Sequence, residues 1–342
     1  MIITKTPLRV SFLGGGTDYP DYFRQHGGQT LGVAIDKYSY VIVNRLAQLF
    51  EHTIRVSYSR TELVSGVDQI EHPAVRGCLQ FLGLDGHLEV HYVGDLPART
   101  GLGSSSSFTV GLLHALHALK GELVSAEQLA AEAVYVEQQV IGERVGVQDQ
   151  YTCAYGGLVH LQFERDGHVR VSPVPLPPQR LSELQSHMML FYTGISRHAH
   201  EVLEEQLERT KQGINATDLS YLSSLVTQGL DVLINGHPIS LFGELLHCAW
   251  MAKRRLSSKI STAAIDQGYD CARQAGAIGG KLLGAGGGGF LLLIVEPAKQ
   301  QAVEQALRPW RRVEVAFDHT GSTLLFYQPT NVSRHRAARE SS

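Results

Sequence analysis

The segment from Pro97 to Ser107, PARTGLGSSSS, holds the residue types in this sequence that most clearly indicate chemistry. It lies between a predicted strand at 88–93 and a predicted helix at 108–119. Glycines let a backbone approach a ligand closely, and the free N–H groups where a helix starts favour anions, most often phosphate. The four serine hydroxyls add donors and oxygen ligands suited to Mg²⁺. We interpret this segment, called the phosphate loop below, as an anion site rather than a Ser/Gly linker.

A second candidate lies near the N-terminus, where a predicted strand at 10–13 runs into the sequence GGGTDY. Here the backbone of Gly14 to Gly16 could make room for a ligand, and Asp18 could accept hydrogen bonds from substrate hydroxyls. A hairpin turn with a solvated carboxylate explains the same residues. The two interpretations remain open on these residues alone.

A third candidate is a pair of carboxylates. Glu137 falls late on a predicted helix at 126–141, and Asp149 follows Gly142 and Gly146. Such a pair could supply a metal ligand and a general base. Taken alone, two ordinary surface carboxylates are the simpler interpretation.

A glycine-rich run at 281–289, KLLGAGGGG, formally contains the dinucleotide fingerprint G-x-G-x-x-G. That fingerprint should open a helix, whereas this run precedes a predicted strand at 290–295. A Walker A loop also fails, because the pair Gly280-Lys281 is followed by Leu282 where Ser or Thr belongs. The phosphate loop therefore belongs to neither of these nucleotide-binding folds.

Composition narrows the class of protein. The 342 residues suggest about two domains, and a hydrophobic fraction of 43% is ample for packed cores. A net charge of −3 gives no reason to expect a nucleic-acid partner. There is no membrane-length apolar run and no signal-peptide pattern, and the four cysteines are widely separated without a CxxC pair. We therefore expect a cytoplasmic protein with reduced thiols.

The remaining elements must position these candidate residues. The first half is strand-rich, with further predicted strands at 38–46, 53–58 and 158–163. The second half is more helical, with predicted helices at 200–212, 218–234, 239–253, 262–275 and 299–307. A proline-dense segment at 173–178 separates the halves. We therefore predict domains at 1–180 and 181–330, followed by a polar tail at 331–342.

Taken together, the clusters resemble those of the GHMP small-molecule kinases, which include galactokinase, homoserine kinase and mevalonate kinase. The phosphate loop, the glycine-rich run and the carboxylate cluster occur in the family's order along nearly the whole chain. The resemblance implies an α+β, two-domain GHMP kinase fold. Its N-terminal domain would be mixed and ribosomal-protein-S5-domain-2-like, and its C-terminal domain an α/β-plait with extra helices. The glycine-rich run would buttress the phosphate loop.

The resemblance also implies roles for individual residues. By comparison with the sequence patterns of galactokinases, Arg9 would lie near the transferred phosphoryl group, Glu137 would bind Mg²⁺, and Asp149 would be the catalytic base. We favour Ser105 over Ser104 as a second Mg²⁺ ligand. The residues implied to bind ATP are Pro97, Gly101, Leu102, Gly103, Ser104, Ser105, Ser106, Ser107, Gly286 and Gly287. The residues implied to bind the acceptor are Gly15, Gly16, Thr17, Asp18, Arg197 and Lys259.

Within the family, the chain most resembles bacterial D-glycero-D-manno-heptose 7-phosphate kinases. These enzymes phosphorylate the anomeric hydroxyl with ATP on the route to nucleotide-activated heptose, a precursor of lipopolysaccharide or capsule. A distal phosphate would need cations, for which Lys253 and Arg254 are further candidates. Gly15 and Gly16 replace the Glu-His of galactokinases, which argues against galactose. Open alternatives are a kinase of an unphosphorylated sugar, a sugar–ATP sensor and a decarboxylase relative, in each case as a monomer or homodimer.

Overall fold

The computed structural model describes residues 1–98, 100–195 and 199–328, which form two β-sheets and the helices around them. The strands are β1 (Ile2–Leu13), β2 (Gly28–Arg45), β3 (Ile54–Ser57), β4 (Thr61–Val64), β5 (Leu88–Gly94), β6 (Leu158–Phe163), β7 (Val169–Pro173), β8 (Met188–Tyr192), β9 (Ala277–Leu282), β10 (Phe290–Val295), β11 (Arg311–Val313) and β12 (Thr323–Tyr327). The α-helices are α1 (Pro20–His26), α2 (Pro73–Phe81), α3 (Ser104–Lys120), α4 (Ala126–Tyr135), α5 (Gln148–Tyr155), α6 (Pro178–His187), α7 (Ala199–Lys211), α8 (Ala216–Ile234), α9 (Ile239–Arg255), α10 (Ala263–Ala275) and α11 (Gln300–Ala306).

The larger sheet has eight strands and is built around two long ones. Its main order is β12-β1-β2-β5-β3-β4, and β6 joins β2 to β7. All its pairs are antiparallel except β3 with β5. Because β12 pairs with β1, residues 323–327 return to the sheet of the N-terminal half. The domain boundary near residue 180 stays a prediction. The structure shows in addition that β12, from the second half of the chain, pairs with β1.

The smaller sheet has four antiparallel strands in the order β11-β8-β10-β9. Strand β10 is central, and all six of its residues are buried. Its uninterrupted apolar sequence, FLLLIV, is typical of a strand covered on both faces. The glycine-rich run connects β9 to β10, so it follows one strand and leads into another without opening a helix.

The described residues form two hydrophobic cores. One packs α2, α3 and α4 on the larger sheet through residues such as Val41 and Val43. The other is built from the smaller sheet, α8, α9 and α10, and it also contains Leu8, Val10 and Phe12 of β1. Strand β1 therefore carries side chains from one core into the other.

Several elements differ from the sequence-based expectations. The α-helix predicted at 126–141 ends at Tyr135 and continues as one π-helical segment at 136–140. Strands β1 and β2 begin earlier than predicted, and β9 was not predicted. None of the helices in the part of the chain that the structure describes is long and apolar enough to span a membrane.

Candidate active site

The phosphate loop leads directly into the N-terminus of α3. Gly103 caps this helix in the left-handed region with φ 72°, and Gly101 has φ 85°. Glycine adopts these angles without the steric cost that a Cβ would bring. The backbone N–H of Arg9 on β1 donates to Leu102 O at 3.0 Å, which ties the loop to the larger sheet. The first turn of α3 is thus held in place, and the start of a helix favours an anion.

The glycine-rich run packs against the phosphate loop backbone to backbone. A Cβ on Gly101 would lie 2.5 Å from Leu283 O, and one on Gly284 would lie 2.5 Å from Gly101 Cα. The N–H of Phe290 also donates to Thr100 O at 3.2 Å. Because no side chain larger than hydrogen fits at either glycine, the two segments must remain glycine to touch. This contact is the buttress that the resemblance implies.

Gly286 and Gly287 lie elsewhere in the same run. A Cβ on Gly286 would be 2.8 Å from Ile260 O, and the N–H of Gly287 donates to that carbonyl oxygen at 2.9 Å. Both glycines therefore face the segment that follows α9. Their role in ATP binding stays a prediction, while the glycines that touch the phosphate loop are Gly284 and Gly289.

Arg9 and Asp149 form a two-pronged ion pair against the phosphate loop. Arg9 Nε donates to Asp149 Oδ1 at 2.7 Å and Arg9 Nη2 donates to Oδ2 at 2.6 Å. Arg9 Nη1 donates to Gly101 O at 2.7 Å. Arg9 is buried, whereas the Asp149 side chain is 24% exposed, so its carboxylate can be reached. A Cβ on Gly103 would lie 3.4 Å from Asp149 Oδ2, which places the carboxylate beside the loop.

Asp18 lies in a second, buried carboxylate network at the start of α5. Its Oδ1 accepts the N–H of Gly16 at 2.9 Å and its Oδ2 accepts Gln148 Nε2 at 3.0 Å. Ser11 Oγ donates to Gln148 Oε1 at 2.7 Å. A Cβ on Gly146 would lie 2.0 Å from Asp18 Oδ2, which explains why a glycine precedes α5. Burial, with a further contribution from the charge of Asp149, raises the pKa of Asp18.

Glu137 is carried inward by the π-helical segment. Its Oε2 accepts Ser106 Oγ at 3.0 Å and Gln150 Nε2 at 2.5 Å. Its buried Oε1 has no hydrogen-bond partner among the described residues, and burial raises the pKa of this carboxyl to about 7. An orphaned, buried carboxylate oxygen beside a hydroxyl is the donor set that a hard cation such as Mg²⁺ prefers. The residues present therefore fit Mg²⁺.

The serines of the loop differ in their surroundings. Ser106 lies against Glu137, while Ser107 Oγ donates to Thr6 O at 3.0 Å and is fully buried. Ser104 is buried, and Ser105, our predicted Mg²⁺ ligand, is exposed on the first turn. The structure thus places the hydroxyl of Ser106, not that of Ser105, next to Glu137. Pro97 lies exposed at the start of the loop, where its carbonyl accepts Thr100 Oγ1 at 2.9 Å.

The N-terminal glycines and Thr17 form the turn that presents Asp18. Thr17 is fully buried, and its Oγ1 lies 2.8 Å from Gly14 O and 2.9 Å from Gln29 O. This hydroxyl therefore fastens the turn to β2. Gly15 and Gly16 are half-buried, so their backbone reaches the site. Contact between Thr17 and an acceptor stays a prediction.

The predicted cations for a distal phosphate are only partly described. Arg197 lies outside the described residues. Lys259 is exposed after α9, and its N–H donates to Ser257 Oγ at 3.1 Å. Arg254, a further candidate, pairs with Asp266 at 2.8 Å, which is the structural role expected of a charged helix end.

Two buried lysines reach the site from the C-terminal half. Lys281 Nζ donates to Phe12 O at 2.9 Å, and Lys253 Nζ donates to Leu282 O at 3.5 Å and to Gly284 O. Burial, with the nearby charge of Arg9, lowers the pKa of Lys253 to about 8. Sequence reasoning gave Lys281 no role of its own. The available signal was its position immediately before the glycine-rich run.

Phosphoryl transfer by a small-molecule kinase needs an anion site, a metal ligand and a base close together. The phosphate loop, Glu137 and Asp149 fit these needs. Comparison with known proteins also indicates a small-molecule kinase. The family description "GHMP kinases N terminal domain" matches residues 46–157, and "GHMP kinases C terminal" matches residues 232–313. The chain belongs to the GHMP kinases, which confirms the predicted two-domain fold and the assignment as a kinase.

Individual relatives match nearly the whole chain, but at low sequence identity. The chain is 25% identical over 328 residues to a D-glycero-alpha-D-manno-heptose 7-phosphate kinase of Campylobacter jejuni, covering 90% of this chain and 93% of that protein. It is 25% identical over 341 residues to a galactokinase of Pyrococcus furiosus, covering 90% and 92%.

Solved structures show the same fold. A D-glycero-D-manno-heptose 1-phosphate kinase from Bacteroides thetaiotaomicron has a TM-score of 0.78 at 23% identity, covering 96% of this chain and all (100%) of that one. A Streptococcus pneumoniae phosphomevalonate kinase, solved with phosphomevalonate and AMPPNP, has a TM-score of 0.70 at 17% identity, covering 92% and 100%.

Proposed function

We propose that the protein transfers the γ-phosphoryl group of ATP to the anomeric hydroxyl of a sugar phosphate. The acceptor is D-glycero-D-manno-heptose 7-phosphate and the product is its 1,7-bisphosphate. The observation that carries the proposal is the Arg9–Asp149 pair held against the phosphate loop, with Asp18 nearby in its own network. The full-length likeness to a heptose 7-phosphate kinase supports this choice of sugar.

Asp149 would act as the general base. Its exposed carboxylate accepts the proton of the anomeric hydroxyl while the oxygen forms a bond to the γ-phosphorus. The bond from that phosphorus to the bridging oxygen of ADP breaks, and ADP leaves with the electron pair. Arg9 orients Asp149 through two hydrogen bonds. An anomeric hydroxyl is more acidic than an ordinary alcohol, so the demand on the base is modest.

Glu137, with Ser106 or Ser105, would hold Mg²⁺. When bound, the ion neutralises charge on the phosphates of ATP. Ser106 is supported by its 3.0 Å contact with Glu137, whereas Ser105 is supported by the family resemblance. The N–H groups at the start of α3 would bind the phosphates directly.

Asp18 would bind hydroxyls of the acceptor, with Gly15 and Gly16 leaving room for the sugar. Lys259 and Arg197 remain candidates for the distal phosphate. The four cysteines are free thiols, which supports a reducing compartment such as the cytoplasm. The protein would work as a monomer or a homodimer.

A substrate panel tests the proposal. ADP release is measured with heptose 7-phosphate, heptose 1-phosphate, free heptose, fucose, arabinose, galactose and a uronic acid. The site of phosphorylation is then read by NMR. We expect the highest kcat/KM with heptose 7-phosphate and a new phosphate at the anomeric carbon. A higher kcat/KM with an unphosphorylated sugar, or product phosphorylated elsewhere, would contradict the proposed acceptor. ATP binding without ADP release on any sugar would indicate a sensor instead.

A further inference from the structure

The site contains two buried ammonium groups that the mechanism above does not use. Lys281 is 4% exposed and Lys253 is 8% exposed. Their hydrogen-bond acceptors are backbone carbonyls, namely Phe12 O for Lys281, and Leu282 O and Gly284 O for Lys253. Within the described ranges, neither ammonium has a carboxylate within ion-pair distance. Burying a charge without a counter-ion is costly, so both lysines would gain from an anion.

Asp149 and Asp18, the carboxylates whose charges act on Lys253, are already engaged by other groups. Asp149 takes two hydrogen bonds from Arg9, and Asp18 accepts from the N–H of Gly16 and the amide of Gln148. Burial lowers the pKa of Lys253 to about 8 and that of Lys281 well below its ordinary value. A doubly charged anion bound beside them would favour the protonated form of both lysines.

The positions of the two ammonium groups show which part of the site they serve. A Cβ on Gly15 would lie 3.9 Å from Lys281 Nζ, 3.5 Å from Ser11 Oγ and 3.7 Å from Gln148 Nε2. All three are ordinary contact distances, so the space in front of Gly15 can take an atom and is lined by polar groups. Because Gln148 also binds Asp18, this space adjoins the proposed acceptor position.

Lys253 lies near the phosphate loop. It donates to Gly284 O, and Gly284 packs directly on Gly101 of the phosphate loop. Lys281 is therefore near the proposed acceptor position, and Lys253 is near the phosphate loop. The charges of Arg9 and Asp18 act on both ammonium groups, which also places the pair within this one site.

We propose that Lys253 and Lys281 together form a subsite for a phosphoryl dianion, an inference that rests on the kinase function proposed above and deepens it. The dianion has two sources in this reaction, the γ-phosphoryl group of ATP and the phosphate carried by the acceptor. In either case the lysines donate charge-assisted hydrogen bonds to its oxygens, and their own burial cost is relieved.

Titration with inorganic phosphate tests the subsite without turnover. Binding is measured by calorimetry on the full chain saturated with either ADP or AMPPNP, because AMPPNP fills the γ position and ADP leaves it empty. We compare Lys281→Met and Lys253→Met with Lys299→Met, a control at an exposed lysine paired with Glu296. Loss of either buried ammonium should weaken phosphate binding on the order of 10- to 100-fold. The control should bind as the wild type does.

The two nucleotide states identify the source of the dianion. Lysine-dependent binding with ADP but not with AMPPNP would assign the subsite to the γ-phosphoryl group. Lysine-dependent binding in both states would assign it to the phosphate of the acceptor. The proposal is overturned if the Met variants bind phosphate as tightly as the wild type, or if the wild type binds none in either state. Should Lys281→Met fail to fold, Lys281→Gln gives the same comparison with a polar side chain.

Steady-state kinetics then separate this proposal from the function itself. No ADP release from the wild type on any sugar would refute the kinase assignment but leave the phosphate titration intact. With an active wild type, a γ-phosphoryl role lowers kcat in the Met variants, and an acceptor-phosphate role raises KM for the sugar phosphate only. Unchanged kcat and KM in both variants would contradict the subsite.

Discussion

At the scale of single residues, the two carboxylates Asp149 and Asp18 have different surroundings. Asp149 is partly exposed and held by Arg9, so a substrate hydroxyl can reach its carboxylate. Asp18 is buried among neutral donors, and its pKa is raised by burial. These environments are consistent with the proposed roles of Asp149 as the base and of Asp18 as a group that binds hydroxyls.

Replacing Asp149 with Asn should reduce kcat by about 10² to 10⁴, the range for loss of a general base. The amide cannot accept the proton, yet its size preserves the packing around Arg9. Initial rates of ADP release with the acceptor found in the panel provide the measurement. Asp231→Asn, a change at an exposed carboxylate on α8, serves as the matched control. Near wild-type turnover in a correctly folded Asp149→Asn enzyme would show that Asp149 is not the general base.

Asp18→Asn should stabilise the protein while impairing its activity. A carboxyl whose folded-state pKa is raised favours the native state fully below its unfolded pKa of about 3.9, and that contribution is lost as pH rises through the folded pKa. At neutral pH the buried carboxylate is therefore a cost that Asn removes. We expect a gain on the order of 1 kcal/mol in the free energy of unfolding, or roughly 2 °C in Tm.

The pH dependence of that gain is the discriminating measurement. Thermal unfolding of wild type and Asp18→Asn is followed from pH 7 down to pH 4, and the difference should shrink as the wild-type carboxyl becomes protonated. The variant should also show a higher KM for the acceptor. A variant that is less stable than the wild type at pH 7, or a difference independent of pH, would show that burial is not the main influence on Asp18.

The family resemblance, and not spacing alone, predicted which residues belong to one site, while their roles stay proposals. The pattern from Glu137 to Asp149 placed both carboxylates in the site, and the structure brings Arg9 onto Asp149. The serine that meets Glu137 could not be chosen in this way, because it depends on the rotation of α3 and on the π-helical segment. Lys281 was missed for a similar reason, since it meets Phe12 only through contact between the two halves of the chain.

At the scale of elements, the contact between the phosphate loop and the glycine-rich run fixes the backbone of the loop that we propose to bind ATP. Gly284 has φ 73° and would clash with Gly101 if it carried a Cβ. Gly236 has nearly the same angle, φ 71°, with nothing within 4 Å of its Cβ position. Substituting each glycine in turn therefore distinguishes the effect of backbone strain, which both changes cause, from the effect of losing the contact, which only the change at Gly284 causes.

Gly236→Ala should lower the free energy of unfolding by about 1–2 kcal/mol, the usual cost of a left-handed non-glycine residue, and leave nucleotide binding unchanged. Gly284→Ala should cost more and also weaken AMPPNP binding by roughly tenfold or more, because the phosphate loop must move. Chemical unfolding and calorimetric titration of both variants measure the two effects. Equal AMPPNP affinities in the two variants would show that the buttress does not position the loop.

Elements were predicted less well where tertiary pairing sets their length. Strand β2 has 18 residues because β1 covers one edge while β5 and β6 share the other, and its N-terminal part carried no alternating pattern of its own. Strand β9 escaped prediction because its sequence, AIGGKL, contains two glycines. One of them, Gly279, packs so closely on Gly243 of α9 that a Cβ would lie 1.9 Å from its carbonyl oxygen. Close helix–strand packing thus explains a glycine that sequence reasoning interprets as a strand breaker.

At the scale of the whole molecule, strand β1 and the returning β12 join the two halves. Leu8, Val10 and Phe12 belong to the core of the smaller sheet although they lie on the larger one. Burial of such side chains contributes about 1.5–3 kcal/mol each, so the three together account for roughly 5–9 kcal/mol. That sum is comparable to the total stability of a typical domain, about 5–15 kcal/mol.

The two predicted domains should therefore unfold together, and the fragment 1–180 should not fold alone. It would expose the three β1 side chains and leave β1 without its β12 partner. Scanning calorimetry of the full chain should give one transition with a ratio of van't Hoff to calorimetric enthalpy near one. The isolated fragment should show no cooperative melting and little dispersion in its amide NMR spectrum. Two resolved transitions, or a fragment 1–180 that melts cooperatively, would instead establish independent domains and show that the contacts of β1 and β12 only dock them.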